Sequence, residues 1–414
     1  MRKSLLFFAF AIIVNFTKSQ IVNVPDANFK AYLLENSAIN TNSDSEIQVS
    51  EATAFIGTIN CSNKNIANLT GIEAFINLTK LSCYGNQLEN IDISKNTALQ
   101  ELDCQSNQLT SLDVSKNTTL KVLYCYSNQL MSLDVSKSTA LQYLYCYFNQ
   151  LASLDVSKNT ALRLLYCQSN QLTSLDVSKN TNLQELDCFA NQLTGLDVSK
   201  NTGLQYLLCH SNPLMSLDVS KNKALLSLDC SYNQLTSLDV SKNTALRYLV
   251  CYSNQLKSLD VSKNTDLKIL YCYSNQLTSL NLKNGNNDIL YSMRAYNSPN
   301  LNCIQVDNVA NANSYTISKD WQKDASASYN KNCTLSITDF NKKEIAIFPN
   351  PVKDLLQFSE EVFNIKITDV SGKVVKQISG LGKSVNVANL AKGIYIISAT
   401  AKSGEVVSQK VIKE

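Results

Sequence analysis

Eleven cysteines fall on a fixed spacing. Cys83, Cys104, Cys125, Cys146, Cys167, Cys188, Cys209, Cys230, Cys251 and Cys272 follow one another at a constant interval of twenty-one, and Cys61 precedes the first by one more than that. Thiols so placed could bind metal, bridge one another or fill a core. A metal file is disfavoured because no histidine accompanies them; the chain has one, His210. If the period is one turn of a coil, adjacent thiols lie about 4.8 Å apart. Disulfide Cα distances permit that, but parallel Cβ vectors do not favour the required dihedral. Buried thiols packing as small hydrophobes are therefore expected, with cross-rung bridges and a metal file as the alternatives. Cys303 and Cys333 stand outside the series and close a loop of their own, so they are expected to pair.

A second set of groups lies in residues 40–51. Asn40, Asn42, Asp44 and Glu51 place side-chain oxygens at loop positions 1, 3, 5 and 12, Glu46 offers a backbone carbonyl, and Ile47 holds position 8. This is the layout of an EF-hand-type calcium loop, which needs hard oxygens from alternate residues and a closing bidentate glutamate. It departs from that pattern with Asn at position 1 and Ser45 where glycine makes the turn. The other reading is a polar loop capped by its own Asn and Asp side chains. Calcium is the only cofactor the sequence raises. Catalysis has little support: no nucleophile motif surrounds His210, Ser211 and Ser220 belong to a repeat, and no phosphate loop or zinc spacing appears. The chain reads as a non-enzyme.

These residues sit on a repeating frame. One unit, residues 99–119, reads LQELDCQSNQLTSLDVSKNTT, with apolar Leu99, Leu102, Cys104, Leu109, Leu112 and Val114. The pattern LxxLx(C/V)xxN occurs twice in it, ending at Asn107 and Asn117, so each unit is two nested half-turns. A fixed period of this length means a solenoid. The motif resembles the leucine-rich repeat family in its short nested bacterial form, over about residues 61–290. The resemblance implies a mainly β fold in which each Leu-x-Leu is a strand of a parallel sheet. It also implies an internal asparagine ladder from Asn86, Asn107 and Asn128 to Asn275, and a strand face that is commonly the ligand surface. Strand alternation turns the neighbours of each cysteine outward. The candidate ligand-binding residues are Tyr124, Tyr126, Tyr143, Tyr145, Tyr147, Phe148 and Tyr166, gathered on three consecutive rungs; Tyr252, Tyr271 and Tyr273 make a smaller patch. The opposite flank is uniform, with aspartates from Asp113 to Asp260 and lysines from Lys116 to Lys263 at every repeat, and reads as a solvated structural face.

The remaining segments cap and export this frame. Residues 1–19 carry Arg2 and Lys3, an apolar run and small residues at the end, the pattern of a secretory signal peptide. Removing Arg2, Lys3 and Lys18 from 37 bases leaves 34 against 34 acids, a balance that argues against nucleic acid as partner. No later stretch reaches about 18 uninterrupted apolar residues, so no transmembrane segment is expected. Residues 20–60 should form an N-terminal cap, with a short helix opening at Asp26 and Phe29, Tyr32 and Leu33 on its apolar side. Residues 291–335 lose the period and read as a C-terminal cap with Trp321 in its core.

Residues 344–414 change to about seven short strands separated by turns, a pattern expected of a β-sandwich. They resemble the C-terminal sorting domain of proteins exported by the type nine secretion system of Bacteroidetes. The matching residues are Phe348-Pro-Asn-Pro351 with Leu355, the hairpin at residues 367–373, Leu390-Ala-Lys-Gly-Ile-Tyr395 and the closing Lys410-Val-Ile-Lys413. The resemblance implies passage through the outer membrane by that machinery, then release or surface attachment. The function expected is an extracellular or cell-surface module that offers its aromatic face to a protein or glycan. The alternative is a passive spacer or surface-layer component.

Overall fold

The computed structural model describes residues 20–333, 345–370, 372–401 and 406–414; the signal-peptide reading lies outside them. The chain divides into two compact units, Met1–Cys333 and Thr334–Glu414.

The first unit is a parallel solenoid. Its main sheet has thirteen strands, from Gly57–Asn60 to Asp320–Lys323. Within the regular repeats each strand is short and pairs in register with its counterpart in the next coil, as in Leu102↔Leu123 and Leu123↔Leu144. The periodicity that sets the register also builds the core. Leu99, Leu102, Cys104, Leu109 and Val114 are at most 1% exposed, and so are their counterparts coil after coil. Each buried leucine contributes roughly 1.5–3 kcal/mol. The opposite half-turn is mostly irregular, forming a four-stranded sheet only at Ser258–Asp260, Ser279–Asn281, Cys303–Gln305 and Ser328–Asn330.

All eleven ladder cysteines are free and buried. Their sulfurs approach the next coil's backbone, as in Cys104 Sγ to Tyr124 O at 3.5 Å. Burial pushes the thiols of Cys61 and Cys146 up to about 12, so the ladder is neutral. Two asparagine ladders then satisfy the turns. In the first, Asn128 Nδ2 donates to the carbonyls of Cys104, Cys125 and Tyr126, while its Oδ1 accepts from Leu109 N. In the second, at the end of the other half-turn, Asn180 Nδ2 donates to Val156 O and Asn159 O at 3.0 and 2.9 Å. These second asparagines are fully buried and their Oδ1 atoms have no partner. Ser138 interrupts the file and reaches only Asn117 O, at 3.3 Å.

Two ends close the coil. Helix α1 (Ala27–Glu35) buries Phe29 and Leu33. Its N-cap Asp26 accepts from Asn28 N and Phe29 N through Oδ1, and from Ala67 N and Asn68 N through Oδ2, which fastens the helix to the first repeat. At the other end the regular spacing lapses but the coil does not. Ile269 pairs with Ser292 and Ser292 with Asp320, so the last two turns are longer and keep Met293 and Trp321 inward. Insertions on the irregular side erase the period in sequence while the sheet continues. Cys303 and Cys333 are disulfide-bonded, with Cα atoms 5.8 Å apart.

The second unit is an antiparallel sheet of six strands. Its organiser is the 15-residue strand Leu355–Asp369, which pairs with Ile347–Phe348, Val374–Ile378, Gly382–Asn386 and Gly393–Ala401. Six strands lie among the described residues, and no glycine or proline interrupts the longest, in which Asn364 has φ 54. Alternation buries Leu356, Phe358, Val362, Ile365 and Ile367. Asn350 of the Pro-Asn-Pro motif donates to Lys410 O and accepts from Ile412 N, tying the start of the unit to its last strand.

Candidate ligand-binding face

The outward side of the thirteen-stranded sheet carries three parallel files of side chains. The first runs Val122, Tyr143, Leu164, Glu185, Tyr206, Ser227, Tyr248, and the second Tyr124, Tyr145, Tyr166, Asp187, Leu208, Asp229, Val250. The third, just beyond each cysteine, runs Tyr126, Tyr147, Gln168, Phe189, His210, Ser231, Tyr252, held by bonds such as Ser127 N to Tyr147 O. The three files hold six of the seven predicted residues, and Phe148 stands beside them, its ring 5.5 Å from that of Tyr147.

How they meet the solvent differs from the expectation of a broad open aromatic surface. Tyr126 and Tyr147 stack face to face with centroids 4.1 Å apart and planes 11° apart, and Tyr124 on Tyr145 at 4.6 Å and 19°. Tyr166 meets Tyr145 edge to face, and its hydroxyl donates to Glu185 Oε2 at 2.7 Å. The rings stand on edge like coins in a roll, because in-register pairing sets adjacent side chains at close to stacking distance. Six of the seven are half-buried; only Phe148 is exposed, at 56%. What these stacks present is ring edges and a row of hydroxyls. Burial raises the Tyr145 phenol to about 12.

The more exposed rings escaped the sequence reading. Tyr206 and Tyr248 lie in the file of Tyr143, and Tyr232 occupies the place of Phe148, with 56% exposure. Counting from each cysteine would have found them. Phe148 and Tyr232 both adopt φ 50, at a position where Ser106, Ser127, Ser169, Ser211, Ser253 and Ser274 take the same left-handed turn. A bulky residue is an outlier there.

Polar groups interrupt the aromatics in the middle of the face. Asp187 and Gln168 are 8% and 7% exposed, and Asp187 Oδ1 and Gln168 Oε1 have no hydrogen-bond partner. Burial pushes the Asp187 carboxyl up to about 7; the Phe189 amide opposes this and the Asp229 charge adds to it. His210 stacks on Phe189 at 4.2 Å, and its Nδ1 lies 3.0 Å from Ser211 Oγ. Burial lowers the His210 pKa, and the nearby Asp229 works against that.

The 40–51 loop does not fit a calcium ion. Glu51 is the third residue of helix α2 (Val49–Ala54) and forms a capping box with Gln48. Its Oε1 accepts from Thr41 N, Thr41 Oγ1 and Asn42 N, and its Oε2 from Gln48 N. Asp44 accepts from Glu46 N, Asn42 Nδ2 and Gln48 Nε2, while Glu46 pairs with Lys30 at 2.7 Å. Donors within the cap thus occupy the carboxylates that a cation would need. Asn40 donates to Leu34 O and Asp44 O, and only its Oδ1 is left open. Burial raises the Glu51 pKa, but the donors outweigh it and hold the carboxyl below its ordinary value.

Two family models match the chain. Residues 76–117 match leucine-rich repeats, and residues 346–414 match the secretion system C-terminal sorting domain. The chain carries leucine-rich repeats and an export sorting domain. It is accordingly cargo of the type nine secretion system, bound for the cell surface or beyond. Among the described residues no helix is long and apolar enough to cross a membrane. Internalin J of Listeria monocytogenes is 41% identical over 76 residues, 18% of this chain and 8% of its own length. Beta-agarase D of Zobellia galactanivorans is 28% identical over 71 residues, 17% of this chain and 15% of its own. The matches thus span less than a sixth of either relative. Among solved structures, the functional domain of InlJ from Listeria monocytogenes, described as including a cysteine ladder, superposes with a TM-score of 0.55 at 26% identity. It covers 96% of this chain and 99% of that one. A Leptospira interrogans leucine-rich repeat protein shares the fold with a TM-score of 0.54 at 23% identity, over 66% of this chain and 83% of its own.

Proposed function

We propose that this leucine-rich repeat protein is an extracellular or cell-surface binding module whose strand face engages a protein or a glycan. The observation that carries the reading is the exposed Phe148, in a left-handed turn that neighbouring coils give to serine, beside the row of half-buried stacked tyrosines on the outward face of the sheet. Tyrosines that stack in pairs stabilise a sheet by roughly 0.2–1 kcal/mol per pair, which accounts for adjacency. It does not account for an exposed phenylalanine in a left-handed turn beside those pairs. The other flank supports a structural role for itself alone. Each aspartate of its file accepts from the serine amide two residues on, as in Asp113 Oδ1 and Ser115 N at 2.8 Å. Among the described residues no lysine of that flank pairs with an aspartate.

The test is a glycan array and a protein-display panel probed with the mature chain and two double variants. Tyr126→Ala with Tyr147→Ala should abolish recognition and leave the melting temperature within a few degrees. Tyr252→Ala with Tyr273→Ala should affect it less. Undiminished recognition by the first variant would return the face to a spacer's role.

A further inference from the structure

We propose that the middle of the strand face docks a protein that lays a lysine or arginine side chain against Glu185, Asp187 and Asp229, gripped on either side by Phe148 and Tyr232. This deepens the reading of the face as a binding surface and rests on it.

The two posts are placed alike. Phe148 and Tyr232 lie four coils apart, which at about 4.8 Å per coil separates them by about 19 Å. Each is 56% exposed in a left-handed turn that neighbouring coils give to serine, and each leans edge-on against a tyrosine, Tyr147 or Tyr252. Met131 and Met215, also four coils apart, are 68% and 66% exposed.

Midway between the posts two acceptors have no donor. Asp187 Oδ1 and Gln168 Oε1 are buried acceptors without partners, a state that folded proteins seldom tolerate. Glu185 lies two residues before Asp187 in the same strand, Asp229 lies two coils along the file beyond Leu208, and from Val122 to Ile269 the three files contain no lysine or arginine. Tyr166 and His210 are the nearby titratable neighbours; the first already donates to Glu185, and the second is held by Phe189 and Ser211. The missing positive charge and N–H donors therefore come from outside, and an ammonium or guanidinium supplies both.

The occupant is a protein because the stacked tyrosines have spent their ring faces on one another, leaving little flat surface for a sugar. A mostly buried polar centre between exposed Phe and Tyr side chains has the anatomy of a protein–protein hot spot. A span of about 19 Å also fits within the roughly 800 Å² that each partner of a standard interface buries.

A display library of random small protein domains, selected on the mature chain, tests this alongside a glycan array. Selected binders should carry a lysine or arginine among apolar residues, and alanine in its place should weaken binding by about thirtyfold, as for a central anchor. Asp187→Asn should weaken the same binders comparably and add nothing once that base is gone. Phe148→Ser and Tyr232→Ser, which install the residue of neighbouring coils, should each cost about tenfold with unchanged melting. Binders without an essential base overturn the inference, as does glycan recognition lost in Phe148→Ser. If Asp187→Asn binds normally while Tyr126→Ala with Tyr147→Ala does not, the binding face stands and the basic anchor falls.

Discussion

Replacing Asp187 by Asn should stabilise the repeat unit at neutral pH, and by an amount that depends on pH. In the folded chain burial holds the Asp187 carboxyl protonated up to about 7, against an ordinary value of 3.8. The unfolded chain gives up that proton from about pH 4, so between pH 4 and 7 it binds fewer protons than the folded chain. Stability must then fall as pH rises through this window and level off above it. An interval of about three pH units at about 1.4 kcal/mol each bounds the loss at roughly 4 kcal/mol. Partial solvation and relaxation of the site reduce this to an effect of order 2 kcal/mol. Asparagine has the same shape and never ionises. The variant should therefore match the parent at pH 4 and exceed it progressively to pH 8. Urea denaturation at each pH, followed by circular dichroism and by fluorescence of the single Trp321, measures both; coincident transitions justify a single free energy. A difference between the chains that is flat from pH 4 to 8 would mean that Asp187 ionises normally and that its burial has been misjudged.

Ser138→Asn should stabilise by about 1 kcal/mol, since neighbouring asparagines reach two carbonyls where Ser138 reaches one; an unchanged denaturation midpoint would show that the second ladder contributes nothing. Alkylation of the mature chain, denatured without reductant, should add eleven groups by mass, because the ladder is reduced and only Cys303 and Cys333 are bridged; three adducts or one, the remainder of a cross-linked ladder, would overturn its packing. Glu51→Gln should destabilise by about 1–3 kcal/mol equally with and without millimolar calcium, and since the native carboxyl lies below its ordinary 4.5, the parent's advantage should vanish as pH falls through that lowered value; a calcium-dependent melting shift in the parent alone would restore the metal reading. A chain ending before residue 344 should fold its repeats yet stay in the periplasm on fractionation, whereas normal appearance outside the cell would defeat the sorting role.

Much of the fold was legible because the repeat states its own register. Once Leu102, Cys104 and Val114 recur in every coil, inward and outward sides follow, and with them the file of Tyr124, Tyr145 and Tyr166. The coil beyond residue 290 was hidden because Ser292 and Asp320 pair in the same sheet across unequal intervals. The 40–51 loop misled for another reason. The oxygens that make a calcium site also make a helix cap, and the choice between them rests on which donors Thr41, Asn42 and Gln48 turn toward Glu51. Sequence also places rings on a face without saying whether they lie open or stack. That Tyr126 and Tyr147 cover each other depends on side-chain angles that alternation does not fix.

The asparagine ladders carry a consequence for how such a chain can change length. In the first ladder each amide reaches carbonyls of its own coil and of the coil before, as Asn128 does with Cys125 and Cys104, and in the second both carbonyls belong to the coil before, as for Asn180 with Val156 and Asn159, so either environment is unaltered if a whole repeat is inserted elsewhere. Adding or deleting one complete coil leaves both ladders intact, whereas an insertion one residue short of a coil within the regular strands would break their register. The gene can therefore lengthen or shorten the protein in steps of one coil with no adjustment of the core. Each such step between residues 148 and 232 would move Phe148 and Tyr232 about 4.8 Å apart or together. The solenoid is in this sense an adjustable ruler, and the distance it sets between two contact points can be reset by recombination alone.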